Sequence, residues 1–251
     1  MSADELVAVN NLEVDEAYLS FVRERRAQII ARLEAACDRA GRDASEVTLA
    51  AVSKTVGPAE VLTAMRAGYE TFAENRPQEL VRKLDAFAAA GIEAPRFDMI
   101  GNLQKNKINA VIGRATLVQS ISSLSLAQAV SSRAERAGVV VPCLLECNIS
   151  GEASKGGFAP SEVREAVDEL CELAGLSIQG LMCMAPAHDA QAARRTFSGA
   201  RELLDELRGL TGLALPTFSC GMSDDFEIAV EEGSTLVRLG RVVFSSEYGL
   251  A

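Results

Sequence analysis

Histidine and tryptophan are almost missing from this chain. It has no tryptophan and one histidine, and aromatic residues make up 5% of it. The only histidine, His188, lies beside Asp189 in a polar segment, so a three-histidine metal site is excluded. None of the six cysteines forms a Cys-x-x-Cys pair. We therefore expect a surface histidine, no metal site and free thiols in a reducing compartment.

Positive charge and long apolar runs are scarce as well. The formal net charge is -10, which argues against nucleic-acid binding because that function needs a basic surface. No apolar run reaches the ~18 residues that span a bilayer. Residues 1–13 are acidic and lack the basic-then-apolar pattern of a signal peptide. We expect a cytoplasmic monomer that binds neither nucleic acid nor membranes, with a flexible segment at residues 1–14.

A regular alternation of two kinds of segment runs along the chain. Short β-rich runs alternate with stretches of helical periodicity, and a long amphipathic segment at residues 15–41 precedes them. The predicted strands are 47–53, 71–74, 97–101, 117–121, 139–149, 178–184, 217–221 and 236–240. The predicted helices are 16–40, 58–68, 77–90, 103–112, 124–137, 161–174, 190–208 and 224–232.

Eight such units in 251 residues have the size of a (β/α)8 barrel. A doubly wound α/β sheet is the alternative. No Gly/Ser-rich or Pro-rich linker divides the chain. The sequence therefore predicts an α/β fold in which residues 1–251 form one TIM-type barrel domain with an extra N-terminal helix.

Lysine is rare, and its position is informative. The five lysines are Lys54, Lys83, Lys105, Lys107 and Lys155. Lys54 comes directly after the first apolar strand, where desolvation would favour a neutral amine over an ammonium ion. A neutral amine can attack an aldehyde and form a Schiff base. The alternative is a lysine that merely ends a strand in solvent.

The last two strand ends suggest a phosphate site. Active residues of such barrels lie at the carboxyl ends of the strands, and phosphate often binds after strands 7 and 8. Here those ends carry Ser219, Gly221, Arg238 and Gly240. A phosphate site together with a Schiff-base lysine fits either pyridoxal 5′-phosphate or the phosphorylated substrate of an aldolase. An aldolase would need an acid or base, for which Glu74 is the candidate.

Several motifs, in order, resemble one known family. They are Ala51-Val52-Ser53-Lys54-Thr55, Phe72-Ala73-Glu74-Asn75, Ile100-Gly101-Asn102-Leu103-Gln104-Lys105, Asn148-Ile149-Ser150-Gly151, Lys155-Gly156-Gly157-Phe158, and Gly221-Met222-Ser223-Asp224-Asp225-Phe226-Glu227. From about Glu16 to Gly249 the chain resembles the pyridoxal phosphate homeostasis proteins, the YggS or PROSC family. Their fold is similar to the barrel domain of bacterial alanine racemase.

The resemblance implies that Lys54 holds pyridoxal 5′-phosphate as a Schiff base for intracellular homeostasis, without strong catalytic activity. PLP-dependent apo-enzymes are the implied recipients. The implied roles of other residues are Asn75 beside the cofactor ring, Ser219 and Gly221 at the phosphate with help from the backbone of Gly240, Met222 lining the pocket, and Arg238 facing the pyridine nitrogen or the phosphate. Lys155 is a candidate second aldehyde site.

The chain departs from the family pattern at two positions, and one alternative function stays open. The family usually has histidine at Asn102 and methionine at Cys220, so any role of an imidazole is lost here. The alternative is a PLP-dependent amino-acid racemase or a Schiff-base aldolase. A racemase needs a second base, but none of the three tyrosines lies at a predicted strand end. A guanidinium beside the pyridine nitrogen would also leave the cofactor a poor electron sink.

Overall fold

The protein folds into a closed barrel of eight parallel strands. The computed structural model describes residues 12–152 and 155–249. The strands follow one another in chain order, and the eighth pairs with the first. This closure confirms the predicted barrel and excludes the doubly wound sheet. Flexibility was predicted for residues 1–14, of which residues 1–11 lie outside the described part of the chain.

The strands are short and are all joined by parallel pairing. They are β1 (Thr48–Val52), β2 (Thr71–Glu74), β3 (Arg96–Met99), β4 (Leu117–Ile121), β5 (Val141–Glu146), β6 (Leu176–Met182), β7 (Thr217–Ser219) and β8 (Leu236–Leu239).

Helices surround the strands. They are α1 (Glu16–Ala40), α2 (Pro58–Arg66), α3 (Pro77–Ala89), α4 (Leu124–Ala137), α5 (Pro160–Cys171), α6 (Ala190–Thr211), α7 (Phe226–Glu231) and α8 (Arg241–Phe244). The prediction of an α-helix over 103–112 is wrong, because only a 3₁₀ helix at Lys105–Ala110 forms there. Asn106 and Asn109 lie in this segment, and asparagine disfavours helix interiors because its side chain competes for backbone hydrogen bonds. Among the described helices, none is long and apolar enough to cross a membrane.

The extra helix α1 packs on the outside of the barrel. The Asp15 carboxylate caps its start by accepting a hydrogen bond from the Tyr18 N–H at 3.0 Å. Its buried residues Val22, Ile29 and Leu33 share one apolar cluster with side chains of α2, α7 and α8. The helix therefore covers the β8 and β1 side of the barrel.

Two kinds of core follow from the alternation of side chains along each strand. Outward-facing apolar residues pack beneath the helices in two large clusters. A smaller inner cluster includes Ala50, Ala73, Leu144, Met182 and Leu236. Polar residues that alternate with the outward-facing ones are also buried on the strands, among them Asp98, Gln119, Glu146, Ser219 and Arg238. A barrel interior that contains polar groups is suited to holding a polar ligand.

Candidate functional site

A chain of buried hydrogen bonds crosses the barrel. Arg238 in β8 donates from Nη1 to Ser219 Oγ at 2.6 Å and from Nη2 to the Cys183 carbonyl at 3.1 Å. Ser219 Oγ donates to Gln119 Oε1 at 2.7 Å, and Gln119 Nε2 donates to Asp98 Oδ2 at 2.7 Å. We call Arg238, Ser219, Gln119 and Asp98 the interior polar chain. It fixes Arg238 in one orientation.

Among the described residues, Arg238 forms no ion pair with a carboxylate, although Glu146 and Asp225 are near enough to interact with its charge. The residue is 4% exposed, and within the described residues no carboxylate lies at ion-pairing distance from it. Burial raises the pKa of Glu146 and of Asp225, and the guanidinium of Arg238 opposes both shifts. Burying an unpaired charge is costly. The barrel interior therefore favours a ligand that brings an anion or a hydrogen-bond acceptor to Arg238.

Lys54 lies in the turn that follows β1. The Val56 N–H donates to the Ser53 carbonyl at 3.1 Å, which closes this turn. The expectation that Lys54 is desolvated by its strand is wrong for this structure, because β1 ends at Val52 and the Lys54 side chain is exposed. Its amine is therefore open to a ligand that enters at the carboxyl ends of the strands.

Glu74 faces away from the barrel interior. Its Oε1 accepts a hydrogen bond from Ser53 Oγ at 2.6 Å and forms an ion pair with Lys83 of α3. All three side chains are fully buried. Glu74 is thus a structural hydrogen-bond acceptor, and the aldolase alternative loses its candidate acid or base.

Asn75 follows β2 and touches the loop after β3. A Cβ on Gly101 would lie 2.0 Å from the Asn75 carbonyl oxygen, so only glycine allows these two loops to approach so closely. Sequence reasoning quoted Gly101 in a motif but gave it no role. Its signal was a glycine as the last residue of the predicted strand 97–101, where glycine often marks a close backbone approach. Asn102, the first departure from the family pattern, is exposed.

The loop after β7 contains Gly221, Met222 and Ser223. Met222 is 37% exposed, and Ser223 Oγ accepts a hydrogen bond from the Val242 N–H of α8 at 3.3 Å. Ser219 lies below this loop, fully buried, with its hydroxyl engaged by Arg238 and Gln119. A phosphate contact of Ser219 stays a prediction. The less buried hydroxyl of this loop belongs to Ser223, which stands in the Gly-Met-Ser motif and was not among the predicted site residues.

The loop after β8 brings Gly240 against β1. A Cβ on Gly240 would lie 3.4 Å from the Val52 Cβ. The neighbouring Arg241 points to the surface and pairs with Asp224 at 2.5 Å. Of the two arginines in this segment, Arg238 alone therefore carries its charge into the barrel.

Replacing Gly221 by alanine is expected to destabilise the folded protein. Gly221 has a φ of +92°, and an added Cβ would lie 2.6 Å from the Ala229 Cβ. Backbone strain and overpacking together predict that Gly221→Ala lowers the free energy of unfolding by about 3 kcal/mol. Chemical denaturation measures this change.

Gly212→Ala is the matched control, because Gly212 has a φ of +69° with nothing within 4 Å of an added Cβ. It carries the backbone strain alone and is expected to lose about 1 kcal/mol. Equal losses in the two variants would contradict the close packing of Gly221 against α7.

The predicted site residues gather at one end of the barrel. They follow or end four neighbouring strands, β7, β8, β1 and β2, whose carboxyl ends meet at the same mouth. These residues are Lys54, Asn75, Ser219, Gly221, Met222, Arg238 and Gly240. His188 lies in the loop after β6 and is exposed, as expected. In the described ranges, no three His, Cys, Asp or Glu side chains are grouped so that they could hold a metal ion.

Comparison with known proteins defines first the class of this barrel and then its family. The model of the family "Alanine racemase, N-terminal domain" matches residues 26–247. A pyridoxal phosphate homeostasis protein of Aquifex aeolicus is 36% identical over 222 residues, which are 88% of this chain and 96% of that protein. The chain therefore belongs to the alanine racemase N-terminal domain family and, within it, to the pyridoxal phosphate homeostasis proteins.

Solved structures agree with this assignment. A crystal structure of a protein from Bifidobacterium adolescentis has a TM-score of 0.87 and 34% identity, and the match covers 94% of this chain and 99% of that one. PipY of Synechococcus elongatus, solved with pyridoxal phosphate bound, has a TM-score of 0.79 and 29% identity. That match covers 89% of this chain and 100% of PipY.

Proposed function

We propose that this protein binds pyridoxal 5′-phosphate through a Schiff base on Lys54 and serves in intracellular homeostasis of this cofactor. One observation carries the proposal: an exposed amine, Lys54, and a buried cation, Arg238, which forms no ion pair with any described carboxylate, lie at the same end of one barrel. The amine nitrogen would attack the aldehyde carbon, and water would leave as the imine forms. The names of the relatives and the cofactor bound to PipY support the same assignment.

The donors at the mouth fit this cofactor. Gly221, Ser223 and Gly240 offer backbone N–H groups and a hydroxyl to a phosphate, while Asn75 and Met222 line the space beside them. Arg238 would donate to the pyridine nitrogen or to the phosphate, and the hydroxyl of Ser219 keeps it in place. When bound, the cofactor supplies an aldehyde that takes up an amine reversibly.

The surroundings of the site favour holding the cofactor over catalysis. A guanidinium donates to the pyridine nitrogen without giving up a proton, so the ring stays a poor electron sink. Glu74 is turned away from the mouth. A racemase would also need a second base, and the Tyr248 hydroxyl already donates to the Ser223 carbonyl at 3.1 Å. Burial and the bonded Asp224 raise the pKa of Tyr248 to about 12, which makes it a poor base at neutral pH.

Release to other proteins completes the proposal. The exposed position of Lys54 gives an incoming amine access to the imine carbon, which is what transfer of the cofactor to PLP-dependent apo-enzymes requires. We propose that the chain does this as a single-domain monomer in the cytoplasm. The six cysteines, which are free thiols in the structure, fit such a reducing compartment.

Chemical trapping tests the covalent site. The protein is loaded with pyridoxal 5′-phosphate, the imine is reduced with borohydride, and the modified peptide is identified by mass spectrometry. The expected result is stoichiometric label on Lys54, with Lys155 unlabelled at one equivalent of cofactor. Label on Lys155 instead would refute the assignment, and sustained racemisation of amino acids by the loaded protein would refute the non-catalytic role.

A further inference from the structure

Lys83 is a buried amine that the proposed function does not use. Its side chain leaves α3 and is fully buried between the helix and the barrel. Nζ donates to the Ser53 carbonyl at 2.7 Å and forms the ion pair with Glu74. The Ser53 carbonyl belongs to the peptide group that leads into Lys54. The amine of Lys83, in the layer of helices outside the barrel, thus contacts the peptide group that precedes the cofactor lysine.

Ser53 is held from four sides. Its N–H donates to the Ala73 carbonyl at 3.0 Å, and its hydroxyl donates to Glu74 Oε1 at 2.6 Å. Its carbonyl accepts one hydrogen bond from Lys83 and another from the Val56 N–H, which closes the turn. Since Lys54 is the second residue of this turn, whatever fixes the Ser53 carbonyl also fixes the direction in which Lys54 leaves the barrel.

The same cluster lies beside the next strand end. The Glu74 carbonyl accepts the Ile100 N–H at 2.8 Å, which ties the end of β2 to the loop after β3. Asn75 follows at once. Glu74 Oε2 is buried and has no hydrogen-bond partner in the described part of the chain, so its carboxylate depends on Lys83 and Ser53 for compensation. The cluster therefore borders both strand ends, but the end that carries Asn75 is held by the backbone hydrogen bond from Ile100, which needs neither the Lys83 nor the Glu74 side chain.

A gain in folding stability alone does not explain why the buried Lys83–Glu74 ion pair is present. Replacing a buried ion pair by apolar residues of similar volume is often neutral or stabilising, because desolvation cancels the attraction between the charges. Charge-assisted hydrogen bonds are nevertheless short and directional. A lysine bonded to a backbone carbonyl specifies the position of that carbonyl, which a methionine in the same space cannot do.

We propose that Lys83 is a positioning residue that holds the Ser53 carbonyl so that Lys54 presents its amine to the aldehyde of the ligand. This inference rests on the proposed function, because it concerns the same imine. It assigns Lys83 to the geometry of Lys54 and leaves the contacts with the phosphate to the loops after β7 and β8.

The test uses the double variant Lys83→Met/Glu74→Met, which removes both charges and keeps the volume. The equilibrium constant for imine formation with pyridoxal 5′-phosphate is expected to fall about tenfold, as loss of one charge-assisted hydrogen bond implies. Affinity for pyridoxine 5′-phosphate, which has no aldehyde, is expected to stay unchanged. Amide exchange at Val56 is expected to become faster.

An exposed ion pair supplies the matched control. Arg164 and Glu206 pair at 2.8 Å between α5 and α6, so Arg164→Met/Glu206→Met removes two charges away from the Lys54 turn. This variant is expected to match the wild type in all three measurements. If the buried double variant does not fold, Ser53→Ala removes the hydrogen bonds of the hydroxyl to Glu74 Oε1 and, at 3.5 Å, to the Ala73 carbonyl, and a roughly threefold weaker imine is then expected.

Three results would overturn the inference. The first is a folded double variant that forms the imine like the wild type, the second is an equal loss of affinity for the aldehyde and the alcohol, which marks a merely structural role, and the third is unchanged amide exchange at Val56. A wild-type protein that forms no imine would instead refute the proposed function. Val56 exchange would still decide whether Lys83 holds the turn, and unchanged exchange in the double variant would count against it.

Discussion

Replacing Lys54 by alanine is expected to abolish the near-visible absorbance band of the protein loaded with pyridoxal 5′-phosphate. The band belongs to the imine, and alanine removes the only amine in the turn after β1. The loss should be complete at one equivalent of cofactor, because no other described lysine lies in the loops directly after β7, β8, β1 and β2: Lys83 belongs to α3 and is buried on the outer side of β2. An absorbance titration with the aldehyde measures the effect.

The noncovalent part of the site should survive in Lys54→Ala. Arg238 and the loops after β7 and β8 are untouched, so the variant is expected to keep binding pyridoxine 5′-phosphate. Lys105→Ala is the matched control, since Lys105 is exposed at the start of the 3₁₀ helix and is expected to leave the band intact. A band of normal height in Lys54→Ala would place the Schiff base on another lysine.

The sequence predicted the fold because its signals are local. Each strand is a short apolar run, each helix shows its own periodicity, and eight such units of this length fit one barrel. The segment at 103–112 failed because its apolar spacing is helical while its asparagines favour a tighter turn. The periodicity of a segment does not show whether neighbouring segments supply enough packing to override such preferences.

The sequence predicted which candidate residues lie near the carboxyl ends of the strands, but it did not predict how deeply each side chain is buried. The motifs located Lys54, Gly221 and Arg238 at strand ends, and the barrel places those ends at one mouth. The sequence could not tell that Ser219 lies in the interior polar chain, or that the carboxylate of Glu74 turns outward to Lys83. Both facts depend on which face of a strand a residue occupies, and in strands of three or four residues the pattern leaves this open.

The barrel interior raises the pKa of the buried carboxyl group of Asp98. Asp98 is 2% exposed, and it belongs to the interior polar chain through the hydrogen bond that its Oδ2 accepts from Gln119 Nε2 at 2.7 Å. Burial raises the pKa of Asp98 to about 6, against smaller opposing effects of that hydrogen bond and of the Arg96 charge. An unfolded aspartate has a pKa of about 3.9. Folding therefore favours the protonated acid between these two values.

The sign of the pH dependence follows from proton binding. Between about pH 4 and pH 6 the native state binds more protons at Asp98 than the unfolded state, so stability falls as pH rises through this window. Below it the contribution is fully present, and above it the contribution is lost. A shift of about two pKa units corresponds to about 3 kcal/mol.

Asp98→Asn is therefore expected to stabilise the protein at neutral pH. Asparagine keeps an oxygen for Gln119 and has no charge to desolvate, so the variant should match the wild type near pH 4 and exceed it by up to about 3 kcal/mol above pH 6. Denaturant unfolding at several pH values measures the difference. Asp85→Asn, at an exposed position of α3, is the control and should leave the difference flat. A constant difference for Asp98→Asn would show that Asp98 is already ionised at low pH and that Gln119, with Ser219 beyond it, compensates a buried charge.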